Sequence, residues 1–160
     1  MRIRPFEPED APALARLFHA AVHEIACRDY APEQLAAWSP APPDAEAFIA
    51  RAGDGRLLLV AVDEAGAPLA YGDVEPDGHI DHLYCRPDAA GTGIASALYD
   101  ALERAARERG IQRLYVEASE SARRLLERKG FTVDHRRDFA IRGVAIHNYA
   151  MTKRLSDGTR

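Results

Sequence analysis

The stretch HIDHLYCRPDAAGTGIAS, residues 79–96, joins a predicted strand to a predicted helix through a loop of small residues. Small residues let a phosphate group approach the backbone closely, and the first amides of the following helix lack helical partners and bind anions. The loop is not a Walker loop, because no Gly-Lys-Ser/Thr follows, and it lacks the third glycine of the dinucleotide fingerprint. Taken alone, Gly91-Thr92-Gly93 is equally typical of a tight turn that needs glycine for backbone reasons.

The sequence on either side of this loop predicts a domain of mixed α and β structure. Short alternating segments with turn residues between them predict strands over residues 2–6, 56–62, 68–75, 79–85, 113–117, 131–139 and 144–152. Apolar residues at helical spacing predict helices from Pro8, around 33–38, over 44–52, from Ile94 to Gly110 and over 119–129. Antiparallel strands followed by alternating strands and helices indicate the α+β class. We predict one domain over residues 1–155 and a C-terminal tail over residues 156–160.

The bulk composition argues against several classes of function. With 160 residues, 47% of them apolar, the chain is long enough to bury one core. A net charge of −4 argues against nucleic-acid binding, which depends on dense positive charge. No apolar run approaches the roughly 18 residues of a membrane span, so no membrane association is expected. Cys27 and Cys85 are expected to be reduced, and the expected location is the cytoplasm.

The strand and loop at residues 79–96 resemble the acyl-CoA signature of the GNAT superfamily of N-acetyltransferases. The resemblance is specific over residues 80–131, where a second helix ends in Lys129-Gly130-Phe131 as in that family. Two further segments are similar to small bacterial members of poorly defined substrate. They are Tyr30, Gln34 and Trp38 after the first helix, and Asn148-Tyr149 with Met151 in the last strand.

This resemblance implies a mixed, mostly antiparallel central sheet that is splayed in the middle and flanked by helices. It also implies acetyl-CoA as co-substrate, with its pantetheine arm paired with backbone groups of Leu83 and Cys85. Amides of residues 91–96 would hold the pyrophosphate. The cofactor-binding residues implied are Leu83, Tyr84, Cys85, Ala90, Gly91, Thr92, Gly93, Ile94, Ala95, Ser96 and Ser119.

The sequence departs from the family pattern at three positions. Ala90 replaces the usual Gln or Arg before the first glycine, which removes a side-chain contact but leaves the backbone amides. Ser119 replaces a frequent Asn before the following helix. Leu126 replaces a frequent Tyr whose hydroxyl is thought to protonate the departing thiolate, so either no dedicated acid is used or Tyr149 or Tyr84 supplies the proton.

Candidate catalytic bases lie on the strand before the loop. The reaction needs a neutral amine, so a group near the acceptor must take its proton, directly or through water. In the family such bases often lie on this strand, and alternation places His79 and Asp81 on the same side as Leu83. We expect Asp81 first, then His79 and Glu75, although the Asp77-Gly78 turn beside them is equally typical of solvated groups. His82 is expected to be structural.

The remaining candidates concern the acceptor and metal binding. Tyr30 and Trp38, in a proline-rich segment, are predicted to line the acceptor pocket, or else to cover the core. His19, His23 and Cys27 recur every four residues on one helix, but their pattern is not that of a zinc protease and no third distant ligand is evident. We therefore expect no metal.

The resulting prediction is an N-acetyltransferase that moves an acetyl group from acetyl-CoA to a primary amine by direct attack. No covalent intermediate on Cys85 is expected, because no histidine base is placed for it. Two alternatives stay open: a non-catalytic acyl-CoA-binding module, and a protein acetyltransferase for N-termini or lysines. The acceptor would be a small-molecule or peptide amine, and the chain a monomer or homodimer.

Overall fold

The fold consists of a two-part sheet with helices on both faces, seen in a computed structural model that describes residues 1–155. The strands are β1 Arg2–Pro5, β2 Leu57–Val62, β3 Pro68–Val74, β4 His79–Ile80, β5 Leu83–Cys85, β6 Arg113–Ala118, β7 Thr132–Ile141 and β8 Val144–Arg154. The α-helices are α1 Ala11–Glu24, α2 Pro32–Trp38, α3 Ala45–Ala52, α4 Ile94–Glu108 and α5 Glu120–Arg128. The predicted tail, residues 156–160, lies outside the described residues.

Two four-stranded sheets share the centre of the molecule. Their orders are β1-β2-β3-β5 and β4-β6-β8-β7. Every neighbouring pair is antiparallel except β4 and β6, which run parallel. Because β4 and β5 follow each other in the chain but pair in different sheets, the two sheets diverge between them. The predicted α+β class and the mostly antiparallel sheet splayed in the middle are confirmed.

The single strand predicted over residues 79–85 is wrong in one respect, because it is broken at Asp81 and His82. The cause is Asp73 on β3, whose buried carboxylate accepts the backbone amides of both residues at 2.9 Å. These amides therefore bond to a side chain and not to a neighbouring strand. The regular alternation of side chains expected along the strand is interrupted here, and the chain passes from one sheet to the other.

Both faces of the sheet are covered by apolar side chains. Alternate residues of β2 face opposite sides: Leu59 belongs to a core cluster that contains Leu98 and Leu102 of α4, while Val60 packs with Leu14 of α1. A third cluster lies under α2 and contains Ile146 of β8. The helices thereby hold the two sheets in place around the point where they diverge.

Candidate active site

Two cavities open into the gap between the sheets. The first, which we call the loop cavity, measures about 260 Å³ and lies between β5, residues 89–96 and α5. The second, which we call the sheet cavity, measures about 290 Å³ and lies between α2, β6 and the β7–β8 hairpin. Leu83, Tyr84 and Ser119 line both cavities. The cavities therefore meet where β5 and the start of α5 approach each other.

Most of the predicted cofactor-binding residues surround the loop cavity. Those that line it are Leu83, Tyr84, Cys85, Ala90, Gly91, Gly93, Ala95, Ser96 and Ser119. Thr92 and Ile94 do not line it: the Thr92 hydroxyl donates to the Ala89 carbonyl, and the Ile94 side chain packs against the core. Arg128 lines the same cavity and adds a positive charge.

The glycines of the loop are required by their backbone conformation. Gly91 has φ 79° and Gly93 has φ 87°, which lie in the left-handed region that other residues rarely adopt. A Cβ built on either glycine meets no protein atom within 4 Å, so the space beside the loop is open. Gly93 directly precedes α4, and its carbonyl accepts the Ala97 amide at 3.0 Å. The amides before Ala97 therefore belong to the unpaired first turn of the helix.

The free edge of β5 faces the gap between the sheets. The His82 carbonyl and the Arg86 amide bond to β3, at 3.0 and 2.8 Å. In an antiparallel pair, alternate residues bond to the partner strand and the others point away from it. The backbone groups of Leu83 and Cys85 therefore point away from β3, toward the divergence.

Asp81 lines the sheet cavity but is held in an ionic cluster. Its Oδ2 lies 2.8 Å from Arg51 Nη2 and 3.4 Å from Arg56 Nη1, and both guanidinium groups also contact the buried Asp73. Burial opposes ionisation of Asp81, but the hydrogen bond from Arg51 and the charges around it lower its pKa. Asp81 is therefore a persistent anion at the wall of the cavity.

His79 and Glu75 line neither cavity, but His79 contacts Glu117, which lines the sheet cavity. The Nδ1 of His79 lies 2.6 Å from Glu75 Oε1, and its Nε2 lies 2.7 Å from Glu117 Oε1. Burial opposes the charged ring, but hydrogen bonds to the two carboxylates outweigh it and raise the pKa of His79. Glu117 lines the sheet cavity, and we did not identify it from the sequence. The sequence did contain a signal for it: Leu114, Val116 and Ala118 alternate along β6 and are buried, so Glu117 must project from the opposite face of the strand.

Tyr149 lines neither cavity. Its hydroxyl donates to Glu120 Oε2 at 2.9 Å, and His147 Nε2 lies 2.6 Å from the same oxygen. Burial would raise the pKa of Glu120, but hydrogen bonds from His147, Tyr149 and Arg123 lower it to about 2. The Tyr149 hydroxyl is thus hydrogen-bonded to a carboxylate that stays ionised.

The two aromatic residues predicted for the acceptor pocket lie in the sheet cavity. Tyr30 packs edge-to-face on Trp38 with ring centres 5.6 Å apart, and Trp38 lines both cavities. The Tyr30 hydroxyl donates to the His147 carbonyl at 3.0 Å, which holds the segment before α2 against β8. Leu126 is fully buried and lines the sheet cavity.

The histidines of α1 have structural partners. His19 Nδ1 lies 2.7 Å from the Ser39 hydroxyl and His23 Nε2 lies 2.7 Å from the Ser39 carbonyl, while Cys27 is exposed. Within residues 1–155, no three His, Cys, Asp or Glu side chains are grouped as a metal site. The helices of the same range include none with the length and hydropathy needed to cross a membrane.

Two comparisons with known proteins both find acetyltransferases similar to this chain. A family model for the acetyltransferase (GNAT) domain matches residues 26–153. The uncharacterized N-acetyltransferase YafP of Escherichia coli is 27% identical over 151 residues, which span 94% of each chain.

Solved structures of related proteins superpose over nearly the whole chain. A GCN5-related N-acetyltransferase from Rhodopseudomonas palustris has a TM-score of 0.86 at 37% identity, covering 96% of this chain and 95% of that one. A phosphinothricin acetyltransferase from Sinorhizobium meliloti, solved with acetyl-CoA, has a TM-score of 0.79 at 20% identity, covering 99% and 90%. The second likeness concerns the fold alone.

Proposed function

The chain belongs to the GNAT acetyltransferase family, and from this premise we propose that it moves the acetyl group of acetyl-CoA to a primary amine by direct attack. One observation carries the proposal: the loop cavity and the sheet cavity meet at Leu83, Tyr84 and Ser119. Direct transfer requires two bound reactants whose reacting atoms come together at one point, and two cavities with a shared boundary provide that arrangement.

The loop cavity is the proposed cofactor site. The unpaired amides at the start of α4 and the loop around Gly91 and Gly93 suit a pyrophosphate, and Arg128 adds positive charge nearby. The backbone groups of Leu83 and Cys85 that point away from β3 are free to pair with the amide groups of the pantetheine arm. Acetyl-CoA supplies an activated thioester, and the protein supplies its orientation toward the sheet cavity.

The sheet cavity is the proposed acceptor site, with Glu117 as the proton acceptor. Asp81 lines the same cavity, but its lowered pKa makes it a weaker base than expected from the sequence, so we assign it the attraction of the ammonium group. Glu117 takes one proton from the ammonium group, and His79 positions the Glu117 carboxylate through the 2.7 Å contact. The lone pair of the neutral amine then attacks the acetyl carbon, the carbon–sulfur bond breaks to release CoA thiolate, and the second proton of the nitrogen passes to water.

The departing sulfur needs no acid in this scheme. A thiol with a pKa of about 8.5 leaves readily as thiolate close to neutral pH. Burial raises the pKa of Cys85, which keeps this side chain as a thiol and argues against an acyl-enzyme on it.

Thiol release from acetyl-CoA across a panel of amines tests the proposal. The panel contains amino acids, peptides, polyamines and aryl amines, and the products are identified by mass spectrometry. N-acetylated product from any of them supports the proposal. Tight acetyl-CoA binding without turnover over the whole panel would overturn it in favour of a non-catalytic acyl-CoA-binding module.

A further inference from the structure

Arg137 on β7 lines the sheet cavity, and most of its N–H donors are available to a ligand. Its Nη1 donates to Asn148 Oδ1 at 2.9 Å, and its guanidinium lies over the Phe139 ring at 5.0 Å. No carboxylate among residues 1–155 forms an ion pair with it. A guanidinium has five N–H donors in a planar fork, so most of its donors remain available to an anion.

Asn148 adds a second donor beside Arg137. Because its Oδ1 accepts from Arg137, its amide nitrogen is turned away from the guanidinium, and the residue lines the sheet cavity. A carboxylate that binds the fork of Arg137 can therefore also accept a hydrogen bond from Asn148.

The Glu117 carboxylate projects from the same sheet face as Arg137, two strands away. Glu117 on β6 pairs with Ala150 on β8, and Arg137 on β7 pairs with Asn148 on β8. Residues opposite each other or two apart along a strand share a face, so Glu117 and Arg137 project to the same side. Two strand spacings across and two residues along place their Cα atoms roughly 12 Å apart. Asp81 adds a second negative charge to the cavity.

Much of the remaining lining of the cavity is apolar. Trp38, Phe139 and Ile146 belong to it, and Tyr30, which also lines the cavity, packs edge-to-face on Trp38. A ligand that satisfies all three features has an ammonium group, a nearby carboxylate and an apolar side chain.

We propose that the acceptor is a free α-amino acid, or a close analogue, with an apolar or aromatic side chain, whose carboxylate binds Arg137 and Asn148. This inference rests on the proposed function and gives it a substrate class. The amine is directed to Glu117 and Asp81, and the side chain lies against Trp38 and Phe139. A protein N-terminus has an amide in place of this carboxylate and leaves Arg137 without its anion.

Three acceptors that differ only beside the amine test the inference. They are L-phenylalanine, L-phenylalaninamide and 2-phenylethylamine, and their binding to the CoA-loaded protein is measured by calorimetry alongside thiol release from acetyl-CoA. A charge-assisted pair with Arg137 should make the acid bind about ten- to a hundredfold more tightly than the amide.

Arg137→Gln should bring the acid-to-amide ratio of dissociation constants close to one, and Arg137→Lys should restore part of it. Arg136→Gln is the matched control, because Arg136 is the exposed neighbour on β7, pairs with Asp138 and lines neither cavity. Wild-type protein that binds acid and amide equally, or binds neither, would overturn the inference, as would an equal effect of Arg136→Gln.

The two proposals fail separately. If all three amines are acetylated without preference for the acid, the acceptor class is wrong and acetyl transfer stands. If the acid binds in an Arg137-dependent manner but no amine releases thiol, the binding inference stands and the proposed reaction is wrong.

Discussion

Glu117 and Asp81 line one cavity in different electrostatic surroundings, and from this difference we propose different tasks for them. Asp81 is bound by Arg51 and Arg56, whereas Glu117 is bound only by His79 among the described residues. The pairing of His79 with Glu117 joins residues 38 positions apart, so the sequence alone could not associate them. Asp81 was a candidate from the sequence because it precedes the loop in a segment predicted as one strand, and its catalytic role stays a prediction.

Glu117→Gln should therefore lower kcat by roughly 10²–10⁴-fold, since an amide cannot take the proton. The loss should shrink as pH rises, because more of the amine is then already neutral. Acetyl-CoA affinity, measured by calorimetry, should be nearly unchanged. Asp81→Asn is the comparison, and its main effect should be a higher KM for the amine. The assignment is contradicted if Asp81→Asn has the large kcat defect and Glu117→Gln does not.

His79 makes the stability of the fold depend on pH. Because its pKa is raised by Glu75 and Glu117 against the effect of burial, the folded state binds this proton more tightly than the unfolded chain. The stabilisation is fully present below the unfolded pKa of about 6.5 and is lost as pH rises through the folded pKa.

We expect His79→Gln to reduce the free energy of unfolding more at about pH 6 than at about pH 9. Urea denaturation of the variant and the wild type at both pH values measures the difference. His135→Gln is the control, because His135 is exposed on β7. An equal loss at both pH values would mean that the contribution of His79 is packing and not charge.

Replacing Tyr149 by Phe should change kcat by no more than a few-fold, because its hydroxyl is bound to Glu120 and lies outside both cavities. Tyr84→Phe should behave likewise if thiolate leaves without an acid. Steady-state rates with saturating acetyl-CoA measure both variants. A hundredfold loss in one of them, with unchanged ligand affinities, would identify that tyrosine as the acid.

At the scale of elements, the loop was predictable and the strand break was not. Gly91 and Gly93 mark the loop because their left-handed conformations require glycine, which leaves a local signal in the sequence. The break at Asp81 and His82 depends on the Asp73 carboxylate of the neighbouring strand. An alternating pattern describes one strand by itself and carries no information about a side chain that reaches across from another.

Gly93→Val tests the loop at this scale. Valine at φ 87° is strained, and its side chain would enter the space where we place the pyrophosphate. The rise in Tm that acetyl-CoA produces by binding the folded state should be lost. Gly66→Val is the matched control, since Gly66 has φ 90°, an equally open surrounding and a place in the turn after β2, outside both cavities. An undiminished Tm shift in folded Gly93→Val would place the phosphates elsewhere.

For the whole molecule, the fold class followed from the order of strands and helices, whereas the acceptor pocket did not. Tyr30 and Trp38 were identifiable as aromatic residues in a proline-rich segment. Arg137 and Asn148, by contrast, face the pocket only because β7 and β8 form one hairpin beside β6. Such a surface is assembled from segments far apart in the chain, and its charge pattern exists only in three dimensions.

The divergence of the two sheets at β4 and β5 divides the backbone hydrogen bonds into two sets. Short β4 is the main link between them, through its pairing with β6 and the bond from the Glu75 amide to the His79 carbonyl. The two sheets share one core cluster, but because their backbone hydrogen bonds form separate sets, we predict that each sheet opens as a unit of its own. Acetyl-CoA bound between β5 and α5 would contact both units and couple their opening.

Amide hydrogen exchange should reveal this coupling. With CoA bound, protection should rise along β8, including Thr152 and Lys153, although these residues line neither cavity. Exchange rates with and without CoA, followed by mass spectrometry of peptic peptides, measure the effect, and β1 serves as the reference for the other sheet. Protection confined to β5 and residues 89–96 would mean that the sheets open as one body, and that the ligand orders only the segments it touches.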